Sequence, residues 1–116
     1  MDEKLPKELQ FYVEKSDYKF ELKKVEKYVL KIIAKYKLKP TQLQLKVLGN
    51  HLSEMVIRAK RGKKLDDVDE AIFSEVSEKA LSISLKIVDF INSNVGKLSK
   101  SESYVLSIHF ENMLLN

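Results

Sequence analysis

Three glycines and two prolines in 116 residues leave this chain few places to turn. That scarcity constrains its fold more than any other feature. Few breakers mean long elements, and apolar residues recurring every three or four positions make those elements amphipathic helices. Leu22, Val25, Val29, Ile32, Ile33 and Tyr36 form one such stripe. It predicts a helix from about Asp17 to Lys37, with Ser16 and Asp17 as N-cap candidates and Pro40 as the terminator. A second helix opens at Pro40-Thr41 and turns Leu45, Leu48, Leu52, Met55, Val56 and Ala59 inward. Gly62 stops it, behind Lys60 and Arg61 in the last turn.

Asp66, Asp67, Asp69 and Glu70 crowd the next start, and Val68, Ile72 and Val76 mark a short third helix. Ala80, Leu81, Ser84, Ile87, Val88 and Ile91 mark a fourth, running to about Asn94 and ended by Gly96. No glycine or proline separates the third from the fourth. Ser99 and Glu102 have the spacing of a capping box and open the last helix, with Val105, Ile108 and in part Leu106 and Met113 toward the core. Strand-like alternation persists nowhere. The expectation is an all-α chain, a compact bundle of about five helices over residues 17–116. Residues 1–16 precede it as a leader or docking arm, with Leu5, Leu9, Tyr12 and Val13 as a weak stripe.

Composition narrows the functions. The absence of cysteine excludes a disulfide framework and a thiolate zinc site. No signal-like N-terminus and no membrane-length apolar run occur, so a cytoplasmic protein is expected. Residues 1–65 carry 17 Lys and Arg against 8 Asp and Glu, and residues 66–116 carry 4 against 9. The asymmetry suits either a nucleic-acid surface or two complementary faces of a self-associating protein. Lysines alternate with glutamates as on a solvated helix face, so direct contact with nucleic acid is not expected. Phosphate loops, HExxH helices and paired-cysteine sites are missing, and the carboxylates read as solvated. An enzyme is not expected, nor a cofactor or a metal.

The two histidines stand apart. His51 lies one turn after Leu48 and one before Met55, beside the buried stripe. His109 lies four residues after Val105 and four before Met113. Position alone suits two structural histidines, yet a near-neutral imidazole at a groove edge is also a nucleophile at pH 7.

The surrounding segments add a resemblance. In NHLSEMVIR (Asn50 to Arg58) an arginine follows the histidine by seven residues; in LSKSESYVLSIHF (Leu98 to Phe110) a histidine follows Glu102 by seven. Together these resemble the phosphotransferase-system regulation domain, or PRD, over about residues 17–115. His51 and His109 fall on the family's two histidines, Arg58 on its arginine and Glu102 on its glutamate. Asn50 stands where the family commonly has aspartate, and Ser99 where it has proline. Tyr104 lies one place before the common tyrosine.

The resemblance implies a regulatory module of bacterial transcription control, phosphorylated on His51 and His109, whose dimer rearranges. Its implied partners are a phosphocarrier protein or sugar-permease subunit, a second copy of itself, and a larger transcription regulator. Arg58 is then expected to meet a modified His51 or an acidic group of a partner. A non-phosphorylated dimerisation adaptor is the other reading, and a small basic nucleic-acid binder a third.

Overall fold

The computed structural model describes residues 4–116. Five α-helices pack around one core: α1 (Lys7–Lys15), α2 (Lys19–Lys35), α3 (Gln42–Arg61), α4 (Glu78–Asn94) and α5 (Ser101–Leu114). The all-α architecture is as expected. Its innermost residues are Leu22, Val25, Leu52, Met55, Ile87 and Phe110, all 0% exposed.

Local chemistry sets most helix ends. Thr41 and Gln44 form a reciprocal capping box at the start of α3, each side chain accepting from the other's backbone N–H at 3.1 and 3.0 Å. Gly62 closes α3 in the left-handed conformation, at φ 67°. Ser77 caps α4, its Oγ accepting from Ala80 N–H at 3.1 Å. α2 stops ahead of Pro40 by its own means: Lys37 turns left-handed at φ 56°, and Leu38 N–H donates back to Ile33 C=O at 3.0 Å. That closure usually takes a glycine.

Four expectations are corrected. Val68, Ile72 and Val76 do not build a helix; the segment makes one 3-10 turn, Glu70–Phe73, and Ile72 is 72% exposed. The acidic residues around it favour water over burial, and Asp69 Oδ1 accepts from Ala71 N–H at 3.0 Å. Ser99 and Glu102 form no capping box. Lys100 occupies the cap position without a side-chain bond, Ser99 Oγ is buried without a partner, and Glu102 points into the protein. The inner face of α5 is Leu106, Phe110 and Met113, whereas Ile108 is 43% exposed. On α4, Ile83 is fully buried where Leu81 was expected.

Small polar residues are buried on both α4 and α5. Among them are Ser84 on α4 and Ser103 and Ser107 on α5, and α5 packs most extensively on α4. Each hydroxyl donates to a carbonyl three or four residues back: Ala80, Lys100 and Tyr104 respectively. All three of these buried hydroxyls are thereby satisfied.

Residues 7–15 form a helix whose Leu9 and Val13 are buried, with α2 and α3 as its neighbours. At the other end of α3, the turn after α4 runs against the backbone: a Cβ on Gly96 would lie 2.2 Å from the Ala59 carbonyl oxygen. Gly96→Ala is therefore expected to cost about 3 kcal/mol, since backbone rather than a flexible side chain must move. Urea unfolding measures it. A loss below about 0.5 kcal/mol, the size of an ordinary surface change, would mean that this turn adjusts freely.

Candidate functional site

α3 and α5 run antiparallel, and three side-chain contacts hold them in register. At one end Gln44 Nε2 donates to Asn112 C=O at 3.4 Å, and Asn116 Nδ2 donates to Gln44 Oε1 at 2.7 Å. At the other end Arg58 Nε and Nη2 donate to the two oxygens of Glu102 at 2.7 and 2.8 Å. Midway, His51 Nδ1 and His109 Nε2 are 2.8 Å apart. Positions 44, 51 and 58 on α3 meet 116, 109 and 102 on or beside α5. A step of seven is close to two helical turns, so each set falls on one side of its helix.

His51 is 8% exposed. Burial first, then His109 and Arg58 nearby, push its pKa down to about 4. Burial also lowers His109. Both imidazoles are thus neutral at pH 7, and the bond between them is one N–H meeting one lone pair. Their rings are tilted by 57°, with centroids 4.9 Å apart.

The surroundings differ on the two sides. His109 is half-buried and lines a groove of about 200 Å³ with Leu43, Gln44, Val47 and Asn112. Leu43 is 69% exposed and Val47 46%, so this wall of the groove is apolar and open. Glu102 is fully buried, its charge met by the bidentate Arg58 fork. Arg58, expected to meet a modified His51 or a partner's acidic group, has its guanidinium paired with Glu102 within the chain. Asn50 is exposed and bonds to neither histidine.

Among the described residues, no three His, Cys, Asp or Glu cluster in a way that could hold a metal ion. No described helix is long and apolar enough to cross a membrane. Sequence reasoning missed Gln44 and Asn116, although their seven-residue offsets from the two histidines were available as a signal.

The family model of the PRD domain matches residues 24–113, which include both histidines, Arg58 and Glu102. The chain belongs to the PRD family. Over 97% of either chain, this PRD superposes on a PRD-containing transcription regulator from Lactobacillus casei ATCC 334 with 39% identity and a TM-score of 0.87. No curated protein matches it.

Proposed function

We propose that this PRD is a regulatory module of transcription control, without enzymatic activity, that answers to sugar phosphotransferase signals through phosphorylation of its histidine pair. The observation that carries this reading is the 2.8 Å contact between His51 and His109. Two histidines 58 positions apart share one site and are neutral at pH 7, and one of them, His109, borders an open groove. A neutral imidazole is the form that attacks phosphorus.

The apolar wall beside the pair supports a self-association surface. Leu43 and Val47 on α3 and Phe11 on α1 are exposed, and a second copy would remove them from water. A phosphoryl group on this edge adds charge and three acceptor oxygens where an apolar contact would form, and so biases dimer geometry. The donor is a phosphocarrier protein or a sugar-permease subunit, and the listener is a larger transcription regulator.

The test is intact mass after incubation with phosphoenolpyruvate, the general phosphotransferase enzyme and its phosphocarrier protein. The parent chain is expected to gain a phosphoryl group, and His109→Ala or His51→Ala to lose or reduce that gain. A second reading, a dimerisation adaptor that is never modified, draws on Asn50 and on the deep burial of His51. No mass gain, under conditions that modify a known regulator, would select it.

A further inference from the structure

The two histidines are not equivalent. In their contact His51 uses Nδ1 and His109 uses Nε2, so each ring keeps one uncommitted nitrogen, Nε2 on His51 and Nδ1 on His109. His51 is buried, whereas His109 forms part of the groove wall with Val47 and Asn112. The contact allows two tautomer arrangements. In one, His109 donates and its Nδ1 keeps a lone pair at the reachable ring. In the other, His51 donates, and the only free lone pair belongs to the buried ring.

Resting on the phosphorylation reading above, we infer that His109 is the phosphoryl acceptor, reacting through Nδ1, and that His51 is its positioning residue. His51 Nδ1 accepts the hydrogen bond of His109 Nε2–H, which holds His109 in the tautomer with a lone pair on Nδ1. The donor is a protein phosphohistidine whose second ring nitrogen is protonated. The His109 Nδ1 lone pair forms the new P–N bond while the donor's P–N bond breaks. The donor ring leaves with that electron pair as a neutral imidazole and keeps its N–H. His109 keeps its Nε2–H, gains positive ring charge beside the phosphoryl dianion, and releases no proton.

The Nε2–H to His51 bond becomes charge-assisted as this ring charge develops, so it is stronger in the transition state than in the resting pair. A protonated His51 would have no lone pair to offer, and its pKa near 4 keeps it neutral at pH 7. His51 thus acts through His109 and need not touch the donor.

The experiment compares two phosphoryl donors on the full chain. One is the phosphocarrier protein; the other is phosphoramidate, a small donor that labels reachable imidazoles without protein recognition. Antibodies specific for each phosphohistidine isomer, with peptide mapping, report residue and nitrogen. The expected product is the Nδ1 isomer on His109 with either donor. His51→Ala is expected to slow labelling by roughly tenfold or more, the worth of a hydrogen bond to a charged group, and to admit the Nε2 isomer. His51→Gln, whose amide oxygen accepts, is expected to restore much of the rate and the isomer. Circular dichroism and thermal melts confirm that the variants remain folded.

Label on His51, the Nε2 isomer on His109 of the parent, no label from phosphoramidate, or an unchanged rate and isomer in His51→Ala would overturn the inference. Silence from the phosphocarrier alone, with the Nδ1 isomer on His109 from phosphoramidate, removes the proposed donor and leaves the acceptor assignment standing.

Discussion

Arg58→Ala is expected to destabilise the fold by about 3–5 kcal/mol, the cost of leaving a buried charge without its partner. Glu102 is 0% exposed, and both of its oxygens accept from Arg58, at 2.7 and 2.8 Å. Arg58→Lys is expected to recover only part of the loss, because an ammonium cannot make two parallel bonds to one carboxylate. Replacing both partners, as Arg58→Met with Glu102→Met, should recover most of it, since no buried charge remains to be solvated. Urea unfolding of the four proteins distinguishes these outcomes. A cost below about 1 kcal/mol for Arg58→Ala would place the pair with ordinary surface ion pairs, and the register clamp between α3 and α5 would have to lie elsewhere.

The second large effect concerns Glu26. Its side chain is 0% exposed on α2, and neither carboxylate oxygen has a hydrogen-bond partner. Burial pushes its pKa from 4.5 up to about 8. A folded pKa above the unfolded one means that the unfolded chain releases the proton first as pH rises. The contribution of Glu26 to stability is therefore fully present below about pH 4.5, falls between there and about pH 8, and levels off above. The fall expected from this group is on the order of 5 kcal/mol across that window. Glu26→Gln has no proton to lose, so it should flatten this part of the profile and leave the protein more stable than the parent at pH 8.5. Denaturant unfolding at pH 5 and pH 8.5 is the measurement. A parent as stable at the higher pH as at the lower, with no gain from Glu26→Gln, would show that Glu26 reaches water or a cation in solution.

Both predictions concern carboxylates that sequence reasoning did not place in the core. Glu26 lies four residues after Leu22 and three before Val29, squarely on the buried stripe of α2. Helical spacing pointed inward there, while the usual exposure of glutamate pointed outward. Glu102 was assigned to a capping box that does not form, because its carboxylate reaches Arg58 across the α3–α5 contact. The 3-10 turn was misread for the opposite reason: Val68, Ile72 and Val76 keep helical spacing but lie in an acidic stretch that does not bury.

The phase of α5 was also hidden. Val105, Leu106, Ile108, Phe110, Met113 and Leu114 are apolar on several sides, so periodicity alone allowed more than one inner face. Ser103 and Ser107 are buried on the same helix as Leu106, Phe110 and Met113, so the inner face includes two polar residues. A hydrophobicity pattern counts serine as polar and does not place it there.

The helical class followed from the amino-acid order alone, because periodicity, breakers and caps act within a few residues of each other. The two seven-residue spacings, His51 to Arg58 and Glu102 to His109, were equally local and carried the family resemblance. That these spacings face each other in opposite directions, with imidazole on imidazole and guanidinium on carboxylate, was decided by the tertiary structure. Each of those contacts joins residues more than 40 positions apart. Such a contact depends on how α4 and the turn at Gly96 return the chain to α3, and no short window of sequence contains that path.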